Sequence, residues 1–443
     1  EETVAQTLKQ VLLFDCVTRT EGFYQFTLAE RETVEERVDL DWLALYDGTI
    51  TDQLRAYLDV PYERIADCVP EWKSAGYIAP TPENAELLPF LLYDLATIRM
   101  PAGKPISASE AQTAAMFEFA GNETRSTGTE EADPRSETID SPMNQLVEPE
   151  PTEAFQTIWA EEGMPIGASK ASVSGYRNGL EHRPSEEIGV TVVINDEGMA
   201  DEGDIAEEIY GDDAEFPFDL RVYRNLTTDR LKAVLETDRE FLHYVGHIEA
   251  DGFQCADGRL DARNLDSIGI DAFFLNGCAS YDQGMALLDS GAVGGVVTVT
   301  EVVNSGATRV GEAMVKLLNH GFPLNAALSV ASQQSFVGGQ YSVVGDGDID
   351  IAQRGALGVA VVQLRKQNDG FVASPKAYPA GDFEMGAVGR MSVTPGRTYY
   401  LTPGVLGQFE YGNSDELQQT LDQGNDLVLY EGELILPSEL SLS

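Results

Sequence analysis

His247 and Cys278 are the residues of this chain best placed to do chemistry. Each stands just past a short apolar run, Phe241-Leu-His-Tyr-Val-Gly-His247 and Ala272-Phe-Phe-Leu-Asn-Gly-Cys278. Such runs read as buried strands. In an open α/β sheet, neighbouring parallel strands deliver their carboxyl ends to one crevice, where reactive groups collect. An imidazole and a thiol meeting there form the base and nucleophile of a cysteine hydrolase. Gly277 before the thiol permits a tight turn and close approach of a substrate backbone.

His243 competes with His247 for the base. The two are four apart on one strand and so share a face. His247 stands at the carboxyl end beside the loop Ile248–Gln254, where active-site groups belong, whereas mid-strand His243 reads as a core histidine. Zinc binding by this pair is disfavoured, because the spacing suits a helix and the local pattern is strand. Cys255 lies in a polar stretch rich in Asp and Gly and is a poor nucleophile candidate. His182 and His320 sit in turn-like or helix-end contexts and read as solvated. The glycines of Gly291-Ala-Val-Gly-Gly295 precede a strand instead of following one. They therefore suit close packing better than a phosphate cradle. No metal site and no cofactor is expected.

The elements that must position these residues alternate. Strands are expected at Ile188–Ile194, Phe218–Tyr223, Phe241–Gly246, Ala272–Leu275, Gly294–Thr300 and Tyr341–Val344. Helices are expected at Asp204–Tyr210, Thr228–Glu236, Gly284–Asp289, Gly306–Asn319 and Pro323–Phe336. This is an α/β pattern with a mainly parallel six-stranded sheet flanked by helices. Residues 1–120 read as a mostly helical N-terminal region, with helices across Ile50–Leu58 and Ala85–Ile98. Residues 121–152, rich in Ser, Thr, Glu and Pro, read as an acidic flexible linker. Residues 153–367 form the α/β domain, and residues 368–443 a small β-rich tail.

Composition constrains the setting. The 443 residues carry 74 Asp and Glu against 29 Lys and Arg, a net charge of −45, with 43% hydrophobic residues. So large an excess strains a compact fold in dilute salt. At molar salt the Debye length falls to roughly 3 Å and the repulsion fades. The apolar content and long apolar runs exclude a disordered acidic chain. The pattern fits the salt-rich cytoplasm of a halophile. With no basic stripe, nucleic acid and anionic membranes are not expected as partners. No apolar run is long enough to span a bilayer and no signal peptide is visible. Cys16, Cys68, Cys255 and Cys278 are scattered and read as reduced thiols. The chain starts at Glu1 without Met, which suggests a piece of something longer.

The stretch from Ile188 to Val344 resembles a CHAT domain, a caspase-like cysteine peptidase fold related to separase and the gingipains. The carriers are His243-Tyr-Val-Gly-His247, Asp257-Gly-Arg-Leu-Asp261, Phe274-Leu-Asn-Gly-Cys278-Ala-Ser280, Gly291-Ala-Val-Gly-Gly-Val-Val-Thr298, Ala326-Ala327-Leu328 and Val344-Gly-Asp346, in family order. It spans a third to a half of the chain. Around Leu8-Lys-Gln10, Cys16-Val-Thr-Arg-Thr-Glu-Gly22 and Pro70-Glu-Trp-Lys73 the chain is also similar to CHAT-bearing proteins of halophilic archaea. The resemblance implies a cysteine endopeptidase with His247 as general base and Cys278 as nucleophile. It places the oxyanion hole at the backbone N–H groups of Cys278 and of the loop at Ile248. Protein or peptide substrates and a regulatory protein partner are implied with it. Two positions depart from the family. Ile248 stands where a glycine often follows the catalytic histidine. Asn276 stands where several relatives carry an aspartate that binds a basic P1 side chain, so Arg or Lys specificity is not implied. Asn276, Asp282 and Glu301 remain as possible pocket residues.

Two other readings compete with the peptidase. A catalytically silent caspase-like scaffold for protein interactions would retain the fold without turnover. A nucleotide-binding α/β protein lacks its glycine loop, since Ile194-Asn-Asp-Glu-Gly198 does not supply one.

Overall fold

The computed structural model describes residues 34–66, 74–91, 95–100, 104–105, 146–181, 188–211, 216–300, 304–352, 359–380, 387–394 and 400–440, less a few single positions, with seven positions between 7 and 18. Cys16, Cys68, His182, Glu301 and residues 121–145 of the acidic stretch lie outside the described residues.

The backbone of the fold is one ten-stranded sheet. Numbered along the chain, its strands are β1 Ser74–Ile78, β2 Leu95–Arg99, β3 Gln156–Ala160, β4 Ser169–Lys170, β5 Ile188–Ile194, β6 Phe218–Arg224, β7 Arg239–Val245, β8 Ile270–Asn276, β9 Gly294–Thr298 and β10 Tyr341–Gly345. Their spatial order is β2-β1-β3-β4-β10-β9-β8-β7-β5-β6. Every pair is parallel except β9 with β10. The sheet is therefore two parallel halves of opposite sense joined at that seam, and their carboxyl ends face opposite edges.

The apolar runs of β5, β7 and β8 are explained by burial on both faces. Val190, Val192, Phe241, Ala272 and Phe274 join one core with helices Ala200–Tyr210, Asn304–Asn319 and Leu324–Ala331. The alternate residues Val193, Leu242, Tyr244, Phe273 and Leu275 join the other, with helices Thr228–Leu235 and Tyr281–Asp289. The Gly294-Gly295 pair serves close packing, as expected. A Cβ on Gly295 would lie 2.1 Å from the Phe273 ring, and one on Gly294 2.1 Å from the Asp346 carbonyl oxygen.

All six expected strands are present, and four more widen the sheet. They come from the first part of the chain. Ala85–Ile98 is not one helix: two short turns of helix, Pro82–Ala85 and Leu88–Leu91, precede the strand Leu95–Arg99. Apolar residues at helical spacing in so short a run do not distinguish helix from strand. The helix Ile50–Leu58 is as expected, capped by the Thr49 hydroxyl accepting from the Asp52 N–H. At the end of the acidic stretch, Leu146–Glu148 is a strand with Leu146 and Val147 buried.

The C-terminal residues share the main core. A six-stranded second sheet is built around the hairpin of Val359–Gln367 with Gly370–Tyr378. Phe322 packs on Tyr378, with ring centroids 5.8 Å apart, and the Lys316 ammonium donates to the Leu434 carbonyl at 3.3 Å. The region also carries the helix Ser414–Gly424, which the sequence reading omitted. Among the described residues, no helix is long and apolar enough to cross a membrane.

Candidate active site

Strands β5, β7 and β8 are adjacent, and their register fixes the site. Ile194 pairs with Val245, and Val245 with Asn276. Two residues beyond this level stand Asp196, His247 and Cys278, one from each strand. Neighbouring strands are about 4.8 Å apart, so these three residues leave adjacent strand ends at the same carboxyl edge. Asp196 Oδ2 lies 3.0 Å from His247 Nε2. The other Asp196 oxygen accepts the Gly198 N–H at 2.8 Å, which fixes the carboxylate. With Nε2 engaged by Asp196, Nδ1 is the ring nitrogen that this contact leaves available.

The loops that carry these residues are braced against one another. The Asn195 side chain accepts the Leu226 N–H at 2.8 Å and donates to the Gln254 carbonyl at 3.1 Å. Gly277 packs directly on the histidine loop. A Cβ there would lie 2.3 Å from the Gly246 carbonyl oxygen and 3.0 Å from Ile248 Cγ1, so only glycine fits. This contact also accounts for Ile248: its buried side chain seats against the glycine that precedes the thiol.

Beyond His247 the chain forms a three-stranded ribbon, Ile248–Glu249, Gly252–Cys255 and Gly258–Leu260. The Gln254 N–H donates to the His247 carbonyl at 3.0 Å. That makes Ile248 and Phe253 the non-hydrogen-bonded kind of antiparallel pair, so the ribbon ladder does not use the Ile248 N–H. Arg259 ties the ribbon internally, reaching Asp251 at 2.7 Å and also Glu249. Buried Gln283, on the helix just after Cys278, accepts the Ala262 N–H at 2.8 Å and donates to the Ala250 carbonyl at 3.2 Å. The ribbon is thus anchored to the element that follows the thiol.

Cys278 is half-buried on the turn between β8 and helix Tyr281–Asp289, and its thiol is in no disulfide. Ala279, the next residue, has φ +50°, the left-handed region that non-glycine residues rarely adopt. Such strain persists only where the surroundings enforce it. Cys255 is different. It is buried, its thiol faces the Phe253 carbonyl at 3.5 Å, and burial, reinforced by Asp257, pushes the thiol up to about 11. It is an inert core cysteine.

The remaining candidates separate in the same way. His243 is fully buried mid-strand with its ring 4.9 Å from Phe274, out of reach of solvent and substrate. His320, read from sequence as solvated, is buried at the end of its helix, its Nδ1 2.8 Å from the Lys316 carbonyl. Asn276 is not a pocket wall. It is buried, accepting from the Tyr341 hydroxyl at 2.6 Å and donating to the Ala307 carbonyl at 3.2 Å. Asp282 is half-buried in the first turn of its helix, where it adds to the field that Asp261 exerts on the Arg263 guanidinium. Sequence reasoning missed Asp196. The signal available was its place two residues past a strand end, the same place that singled out His247 and Cys278. Among the described residues, no group of three or more His, Cys, Asp or Glu is arranged to hold a metal ion.

No protein-family model and no curated protein matches this chain. Solved structures similar in fold include the Arg-specific cysteine proteinase gingipain R. It has a TM-score of 0.42 and 9% identity over 72% of this chain and 86% of that one. The complex of Porphyromonas gingivalis RgpB pro- and mature domains gives 0.39 and 11%, over 71% and 87%. The Saccharomyces cerevisiae separase–securin complex gives 0.31 and 11%, over 44% of this chain and 16% of that one.

Proposed function

We propose that this chain is a cysteine endopeptidase with Cys278 as nucleophile and His247 as general base and acid. The observation that carries the proposal is the in-register delivery of Asp196, His247 and Cys278 by three adjacent strand ends, with the imidazole held by the carboxylate at 3.0 Å. In this reading His247 Nδ1 takes the thiol proton as Sγ attacks the scissile carbonyl carbon. The oxyanion that forms accepts hydrogen bonds from the backbone N–H groups of Ile248 and Cys278. The intermediate collapses to a thioester as His247 returns the proton to the departing amine. Water, deprotonated by the same imidazole, then attacks the thioester and frees the thiol. Asp196 keeps the ring oriented and balances the imidazolium.

The finer assignments belong to the same proposal. They are a CHAT-type enzyme of a salt-rich cytoplasm, acting on proteins or peptides, with its flanking regions or a protein partner restraining it. The motifs around His247 and Cys278 and the net charge of −45 support them. The test is digestion of a denatured protein mixture and a peptide library in molar KCl, with products read by mass spectrometry. Cleavage that vanishes in Cys278→Ala is the expected result. Equal cleavage by both proteins, or none by either across the library, removes the reading.

A further inference from the structure

The turn that carries Cys278 is held by two hydroxyls that the mechanism above does not use. Ladder pairing between β8 and β9 ends at Phe274 with Val296. Beyond it, Thr298 and Ser280 take over through their side chains. The Ser280 N–H donates to Thr298 Oγ1 at 3.2 Å, and the Thr298 N–H donates to Ser280 Oγ at 2.9 Å. The Thr298 hydroxyl donates to the Gly277 carbonyl, and the Ser280 hydroxyl donates to the Leu275 carbonyl at 3.2 Å. Both residues are completely buried. Each hydroxyl carries one proton, so each donates once and accepts one backbone N–H. Two side chains thereby satisfy four backbone groups: three flank Cys278 and strained Ala279 on the turn, and the fourth is the Thr298 N–H on β9.

The bond from Thr298 to Gly277 has a directional consequence. Within one trans peptide unit the C=O and N–H point in opposite directions in one plane. Holding the Gly277 carbonyl toward β9 turns the Cys278 N–H away from β9, toward the side of β8 where His247 and Ile248 stand.

We propose that Thr298, seconded by Ser280, is a positioning residue for catalysis: it sets the plane of the Gly277–Cys278 peptide and so aims the Cys278 N–H at the oxyanion. This rests on the peptidase reading given above. Thr298 acts through the peptide and touches no substrate. Its loss should impair the step that develops an oxyanion while sparing chemistry that needs only the thiol.

The experiment compares peptide turnover with alkylation of Cys278 by iodoacetamide, a displacement that forms no oxyanion. Wild type, Thr298→Val, Thr298→Ser and Ser280→Ala are measured in high salt, well below their melting temperatures. Thr298→Val should lower kcat by about tenfold to a hundredfold, the scale expected for misplacing a catalytic group by a fraction of an ångström to one ångström. KM and the iodoacetamide rate should stay near wild type. Thr298→Ser, which keeps the hydroxyl, should restore most of kcat. Wild-type kcat in Thr298→Val overturns the inference, as does a fall in turnover and alkylation together by the same factor. If Thr298→Val does not fold, Ser280→Ala decides by the same comparison. An unchanged kcat there overturns the inference. A wild type that is alkylated but never turns over peptide removes the peptidase reading itself and this inference with it.

Discussion

Gly277→Ala tests whether the histidine and cysteine loops touch as described. A methyl at position 277 would lie 2.3 Å from the Gly246 carbonyl oxygen. That oxygen belongs to backbone, so no rotamer change relieves the clash. The loops must part by about 0.7 Å to bring the contact out to 3.0 Å. Overpacking of this kind costs roughly 1–3 kcal/mol. The functional loss should be larger in proportion, because the same displacement separates His247 from Cys278. Misplacement on this scale costs up to about a hundredfold in rate. The assay is the rate of Cys278 labelling by an electrophilic peptide, well below the melting transition, beside urea unfolding of the same protein. Gly412→Ala is the control, since a Cβ there meets nothing within 4 Å. If Gly277→Ala labels at the wild-type rate and unfolds at the same urea concentration, the packing of the two loops is wrong.

Three further outcomes are expected. Asp196→Asn keeps the shape of the side chain but removes the charge facing His247 Nε2. It should lower kcat by less than the ~10²–10⁴ that loss of a general base costs, with KM little changed, and an unaltered kcat would exclude Asp196 from the site. Because burial raises the Cys255 thiol to about 11, its thiolate forms only as pH climbs toward that value. Peptide mapping after iodoacetamide treatment should find Cys278 modified and Cys255 unmodified at neutral pH, and modification of Cys255 there would contradict its burial. With a net charge of −45, the fold should lose compactness as KCl falls well below molar. A melting temperature by circular dichroism that stays constant down to low salt would refute the salt dependence.

The parts of the fold legible in the sequence are those whose physics is local. Strands β5, β7, β8 and β9 are buried on both faces and so spell continuous apolar runs, which is why Ile188–Ile194 and Gly294–Thr298 were readable. β4 has only two residues and β1 reads Ser-Ala-Gly-Tyr-Ile, and neither length nor composition marks them. The site was legible to the same extent. His247 and Cys278 are rare residue types at strand ends. Asp196 is one of 74 acidic residues, and its type carried no signal in so acidic a chain. What distinguishes it is the register of Ile194 with Val245, a property of strand pairing. Thr298 is hidden for the same reason, since its partners Gly277 and Ser280 are distant in sequence and meet it only across β8 and β9. His320 was misread because a helix end is usually solvated, whereas this one is covered by the second sheet.

The central claim is that His247, and not His243, activates Cys278. The most direct measurement is the labelling rate of Cys278 by an electrophilic peptide in molar KCl, taken together with melting temperature, for wild type, His247→Ala and His243→Ala. An unassisted thiol is mostly protonated near neutral pH, so His247→Ala should abolish labelling while leaving the melting temperature close to wild type. His243→Ala removes a fully buried ring packed on Phe274. It should cost roughly 2–5 kcal/mol of stability, with labelling falling only as the folded fraction falls. Full labelling in His247→Ala, with labelling lost in a stable His243→Ala, would contradict the assignment.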